Sequence, residues 1–179
     1  LIEAAPAVLG PFDERLQRYT TRTLERMGVE VRCATAATAI DADGITVRND
    51  DDEERIEART KVWAAGVQAS PLAGASGVPQ GAGGRLGVTP ELAIDGFPRV
   101  YAVGDIANTR DAKGDELPQL GSVALQAGRW AARNILADIE GHAPTPFRYR
   151  DKGIMAMIGD GVAVAEAPLR VSVWSASRS

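Results

Sequence analysis

Hydrophobic and polar positions along the chain fall into three patterns. From Asp13 to Gly28, Leu16, Tyr19, Thr23, Leu24 and Met27 recur at helical spacing. Asp13 as N-cap and Gly28 as a stop predict a helix of about fourteen residues with that face in the core. A second helical stretch opens at Leu117-Pro118-Gln119-Leu120-Gly121-Ser122 and continues to about Glu140, with Ser122 as N-cap and Gly141 in the C′ position. Its Ala124, Ala127, Gly128, Ala131 and Ile135 form a small-residue stripe, which lets the helix approach a sheet or a flat ligand closely. The pattern between Thr38 and Val62 is alternation instead. Ile40, Ile45, Val47, Ile56, Ala58, Thr60 and Val62 alternate imperfectly with polar residues, and Asp43-Gly44 and the acidic run at 49–54 read as turns, so an antiparallel meander is expected there. Four short apolar runs remain, Leu1-Ile2-Glu3, Val29–Cys33, Lys61–Gly66 and Arg99–Val103. Each reads as a buried strand, the first as the end of one whose start precedes the chain, and together with the helices they predict an α/β fold.

Composition excludes several function classes. A net charge of −4 over 179 residues, with 45% hydrophobic and 25% charged residues, gives no basic face for nucleic acid. No run reaches the ~18 apolar residues of a membrane span, and no signal peptide opens the chain. One cysteine, Cys33, allows no internal disulfide or CxxC pair and reads as a small buried side chain. The single histidine, His142, lies in a loop, and the acids at 49–54 lack the spacing of a metal loop, so no metal site is expected.

The candidate chemistry lies between Arg99 and Gly141. Gly104-Asp105 follows an apolar run, which would place a glycine and a carboxylate at the carboxyl end of a strand, where open α/β sheets bind ligands. An ionised aspartate only accepts hydrogen bonds and suits a polyol hydroxyl better than a phosphate; a turn or cap role for Asp105 is equally open on local sequence. The amino end of the following helix favours an anion or developing negative charge. The glycine-rich stretch from Gly74 to Gly87 is no phosphate loop, because no strand precedes it and no helix follows.

VYAVGDIA, LPQLGSVALQAGRWAA and FRYRDKGIMAMIGDGVAVAE at 147–166 together resemble the C-terminal part of the type II NADH:quinone oxidoreductases, single-subunit FAD enzymes of the two-dinucleotide-binding-domain flavoprotein class. The resemblance spans nearly all of residues 1–168 and implies a partial flavoprotein fold, with Rossmann-like parallel sheets and an antiparallel β-meander. It implies three segments: the second half of an NADH-binding domain at 1–67, the returning part of an FAD-binding domain at 68–141, and at 142–179 the start of a C-terminal quinone and membrane-side region that ends early.

By this resemblance Glu3, in LIEAAP, is the acid on the NADH ribose, and a glutamate there would repel the 2′-phosphate of NADPH. Gly66 lines the nicotinamide, Gly104 and Asp105 hold the FAD ribitol, and the amides of Gly121, Ser122 and Val123 face the isoalloxazine. Gln126, Lys152 and Met155 are the expected quinone contacts; a surface lysine and a core methionine are the plainer alternatives for the last two. Many family members carry Ala-Gln where this chain has Gly121-Ser122, so one of two expected polar side chains at the quinone pocket is missing. No general base is expected, since hydride transfer to a flavin requires none.

The expected partners are NADH, a quinone and, through a C-terminal region absent from this sequence, the cytoplasmic face of the cell membrane; a homodimer is left open. PLRVSVWSASRS shows no amphipathic helix. Both pyrophosphate-binding glycine loops lie upstream in this family, so the 179 residues alone are expected to bind FAD and NADH poorly and to turn over slowly. Two rivals remain: a related FAD-dependent reductase serving a ferredoxin or rubredoxin-type protein, and a non-catalytic remnant without cofactor.

Overall fold

In the computed structural model, which describes residues 1–168 and 170–175, the chain forms two compact units. One comprises Leu1–Ala64 with Lys152–Ser179, and the other Ala65–Asp151. Residues 142–151 therefore belong with the second unit, and the chain from Lys152 onward with the first.

The first unit starts with Ile2 bridged in parallel to Arg32. Helix α1, Glu14–Arg26, is capped by the Asp13 side chain, which accepts from the Arg15 amide. It ends as the sequence requires: Gly28 takes φ +84, its N–H donates to Glu25 and the Val29 N–H to Leu24, a Schellman closure. Its buried face is Leu16, Thr20 and Thr23, whereas Tyr19 and Leu24 are only half-buried and Met27 is 47% exposed. The expected face is thus rotated toward two threonines.

Strands β1 (Ala36–Ile40), β2 (Gly44–Asn49) and β3 (Asp52–Glu57) make the antiparallel meander, in register Ile40 to Ile45 and Ile45 to Ile56. Asp41 builds the first turn by accepting from the amides of Asp43 and Gly44. The second turn is tighter than the acidic run suggests: Asp50, at φ +49, and Asp51 close it, and the acids from Asp52 onward lie in β3. A second antiparallel sheet follows from β6 (Ile154–Gly159), β7 (Val162–Ala167) and β8 (Arg170–Ser175), with Val164 fully buried. The tail PLRVSVWSASRS is therefore strand over Arg170–Ser175; residues 169 and 176–179 lie outside the described residues. The Asp13 amide donates to Glu166 at 2.7 Å, tying the start of α1 to β7.

The second unit holds a short helix α2 (Leu72–Ala75), a two-stranded parallel sheet of β4 (Leu86–Gly87) and β5 (Ala107–Asn108), and the long helix α3 (Gly121–Ile139). One core cluster joins Ala73, Val78, Leu86, Ile94, Ala102 and Ala107; another joins Leu92, Ala127, Ala131 and Phe147.

None of the four runs read as buried strands is one: Leu1-Ile2-Glu3, with Leu1 50% exposed, makes only the bridge of Ile2 to Arg32. Val29–Cys33 makes only the Arg32 bridge, and Cys33 is half-buried. Lys61–Gly66 is irregular, with Val62 84% and Trp63 63% exposed, and is tied back by the Lys61 ammonium, which donates to the Ala42 and Ala58 carbonyls. Arg99–Val103 folds back on 92–94: Ile94 donates to Val100, Ala102 donates to Leu92, and Ala93 bridges Tyr101 antiparallel. The intervening Asp95-Gly96-Phe97-Pro98 is turn chemistry, and Arg99 itself lies at φ +64.

Candidate functional site

The site is built where the chain leaves Val103. Gly104–Ile106 forms a single 3-10 turn, entered from an extended Val103. Gly104 lies at φ +77, a region costly for other residues, and a Cβ on it would stand 3.8 Å from the Ala124 Cβ. The turn and α3 thus approach to side-chain contact distance. Asp105 is exposed, and its carboxylate has no hydrogen-bond or ion-pair partner among the described residues; its backbone carbonyl accepts from the Gln119 side chain at 3.0 Å.

Helix α3 begins two residues earlier than Ser122 as N-cap would have it. Leu120 is the N-cap, in extended conformation, and no side chain caps the helix. Ser122 is instead inside the first turn, where its hydroxyl shares a hydrogen bond of 3.0 Å with the Tyr149 hydroxyl. The amides of Gly121, Ser122 and Val123 consequently lack both an i−4 carbonyl and a capping side chain. A narrow cleft is lined by Gly104, Asp105, Leu120, Val123 and Ala124, so the Gly104-Asp105 turn and the start of α3 border one cleft. At the other end Gly141 takes φ +76, with the His142 amide donating to Ala137 and the Gly141 amide to Asp138. The small stripe is partly right: Ala127 and Ala131 are buried, but with Val123 and Asn134, while Ile135 is 40% exposed.

Arg85 also lines the cleft, and it is ion-paired to Glu116. Glu116 accepts from Asn108 at 2.8 Å, Arg85 at 2.9 Å and Arg110 at 3.0 Å. Asn108 first, then the two guanidinium charges, hold its carboxyl below the usual glutamate range. This cluster was not singled out by sequence, since its members are spread over 31 positions; the structure joins them through the bridge of Arg110 to Glu116.

The other expected site residues are placed as follows. Gly66 lies at φ +80 with open space where a Cβ would be, so within the chain itself it is the left-handed conformation that asks for glycine. Gln126 has its carboxamide engaged, donating to the Arg150 carbonyl and accepting from the Arg150 amide, each at 3.0 Å. Glu3 accepts from the Ala5 amide at 2.8 Å; it lies in the first unit, as do Lys152, which is exposed, and Met155, which is 71% exposed on β6.

A mixed α/β chain with this glycine-aspartate turn set against a small-residue helix defines a class: residues 1–128 match the pyridine nucleotide-disulphide oxidoreductase family, and the chain belongs to it. Among curated proteins it is 38% identical over 174 residues to the type II NADH:quinone oxidoreductase Ndh of Mycobacterium tuberculosis, covering 93% of this chain and 36% of that protein. It is 36% identical to the type II NADH:quinone oxidoreductase of Staphylococcus haemolyticus, covering 91% of this chain and 41% of that one. The chain thus spans little more than a third of the length of the curated relatives it matches. Among solved structures, NDH2 from Plasmodium falciparum in complex with NADH superposes with a TM-score of 0.83 at 14% identity, over 98% of this chain and 50% of that chain. The sulfide:quinone oxidoreductase of Aquifex aeolicus gives 0.72 at 16% identity, over 96% and 44%. These two likenesses speak for the fold alone.

Proposed function

We propose that these residues are part of a type II NADH:quinone oxidoreductase, an FAD enzyme that oxidises NADH and reduces a quinone. The observation that carries this is the meeting of Asp105 and the uncapped end of α3 in one cleft of a chain 38% identical to such an enzyme. The donor set fits a flavin. A free carboxylate suits the ribitol hydroxyls, and unpaired helix amides suit the electron-rich end of the ring.

FAD, when bound, supplies the two-electron chemistry, and the protein supplies geometry and field. Gly104 lets the backbone turn closely past α3, and Asp105 holds the ribitol as hydrogen-bond acceptor. The amides of Gly121, Ser122 and Val123 stabilise negative charge by roughly 0.3–1 kcal/mol, up to ~2 when partly buried. Glu3 accepts from the ribose of NADH and disfavours a 2′-phosphate, and Gly66 borders the nicotinamide. On the acceptor side Lys152 and Met155 face the quinone, and Gln126 acts through its hold on the segment before them. No described helix is long and apolar enough to cross a membrane.

The test is Asp105→Ala in the FAD-loaded, full-length protein. Loss of a hydrogen bond to a charged group weakens FAD binding by about tenfold or more. Unchanged flavin retention and unchanged quinone reduction would overturn the assignment of Asp105.

A further inference from the structure

Two pieces of chain border the cleft, the turn at Gly104–Ile106 and the start of α3, and one side chain joins them. The Gln119 carboxamide donates through Nε2 to the Asp105 carbonyl at 3.0 Å. No other side-chain hydrogen bond among the described residues joins that turn to residues 117–124. Gln119 also lines the cleft itself, half-buried.

The sequence around Gln119 explains how its side chain reaches back fourteen positions. Pro118 fixes its own φ, and the Leu120 amide donates to the Pro118 carbonyl at 2.9 Å, a three-residue turn with Gln119 at its centre. The chain therefore bends at Gln119 as it passes from the loop into α3. The loop is itself pinned, since the Leu117 amide donates to the Thr109 carbonyl at 2.9 Å and Arg110 bridges Glu116. A neutral carboxamide is what the contact needs, because its partner is a carbonyl, which only accepts. Glutamate has the same length but no donor when ionised, and asparagine is shorter by one methylene, about 1.5 Å.

The Asp105 carboxylate is exposed and has no partner among the described residues, so its place is set by its backbone. The bond to its carbonyl fixes that backbone and ties it to the residue before the N-cap of α3. A displacement on the order of 1 Å is enough to carry a carboxylate out of hydrogen-bond reach of a ligand hydroxyl.

We propose that Gln119 is a positioning residue of the FAD cleft: it sets where the Asp105 carboxylate stands relative to the α3 amides, and acts on flavin binding through Asp105. This rests on the functional assignment above.

The experiment is a double-mutant cycle in the full-length protein, with FAD titrated into the flavin-free form and followed by quenching of flavin fluorescence. Gln119→Ala should weaken FAD binding by about three- to tenfold, as expected for one neutral hydrogen bond. The melting temperature of the flavin-free form should stay within about 2 °C. In an Asp105→Ala background the same substitution should change the dissociation constant by less than about twofold, because the carboxylate it places is gone. Gln119→Glu should match Gln119→Ala at pH 8, and its gap from the wild type should close as pH falls through the glutamate range and the protonated carboxyl regains a donor. An FAD affinity unmoved by Gln119→Ala, or an equal loss with and without the Asp105 carboxylate, would overturn the proposal. A full-length protein that takes up no FAD, or that holds it as tightly after Asp105→Ala, would remove the functional assignment instead.

Discussion

Asn134 is the buried polar side chain of α3 whose removal is expected to cost most. It is 2% exposed; its Nδ2 donates to the carbonyls of Glu91 and Thr145, and its Oδ1 accepts from the Thr145 amide, all at 2.9 Å. In Asn134→Ala the Thr145 carbonyl keeps the Trp130 indole N–H, but the Glu91 carbonyl and the Thr145 amide lose their partner beside a buried helix position, with Glu91 half-buried and Thr145 open to water. At about 1–3 kcal/mol for each orphaned group, partly relieved by relaxation, the loss should be roughly 2–4 kcal/mol. For a chain of this size that is a fall of roughly 5–15 °C in melting temperature. Asn134→Asp adds a carboxylate facing two carbonyl oxygens. It should be at least as damaging at neutral pH and recover in acid, because burial raises the pKa of that carboxyl and the protonated form regains a donor. Urea unfolding followed by circular dichroism measures both, as a shift of midpoint at constant slope. A loss below about 0.5 kcal/mol for Asn134→Ala would refute a stabilising role for its bonds to Glu91 and Thr145.

Three further outcomes follow from other contacts. Gly104→Ala meets no clash at Ala124 but forces a left-handed alanine, so about 1–2 kcal/mol of stability and much of the flavin should be lost, as read by melting temperature and absorbance after gel filtration. Asp41, held low first by Arg55 and then by the turn amides, and Glu116, held low first by Asn108, both have folded pKa values beneath their ordinary 3.8 and 4.5. Their contribution is present above those ordinary values and lost as pH falls through the folded ones, so Asp41→Asn and Glu116→Gln should flatten the acid side of a melting-temperature profile below about pH 4.5. Equal acid sensitivity in the variants would count against this. Glu3→Ala should narrow the preference for NADH over NADPH by about tenfold in kcat/KM, and an unchanged ratio would remove Glu3 from the ribose site.

What the sequence disclosed was local chemistry. Asp13 and Gly28 bracket α1, Asp43-Gly44 makes the hairpin, and Gly141 closes α3, because a cap or a turn depends on a few neighbouring residues. The apolar runs at 61–66 and 99–103 misled for a stated reason: a short apolar run marks a buried strand only if another strand lies alongside, and at 95–98 turn residues sent the chain back on itself. Ser122 looked like an N-cap by type and position, yet its hydroxyl had a better partner 27 residues away. The i, i+4 series of Ser122, Gln126, Trp130 and Asn134, all bonded to residues 145–150, was present in the sequence, but nothing local says that a proline-spaced segment will lie along it. Asp105 was legible as a candidate because Gly-Asp after an apolar run is itself a local signal, even though the strand expected before it is a fold-back.

The most direct measurement is an anaerobic titration of the full-length protein, followed by absorbance at the long-wavelength band of the oxidised flavin. NADH should bleach a bound flavin stoichiometrically, and a short-chain quinone should restore the oxidised spectrum, with Asp105→Ala losing the flavin on gel filtration. A protein that carries no flavin, or whose flavin NADH leaves oxidised, would contradict the account.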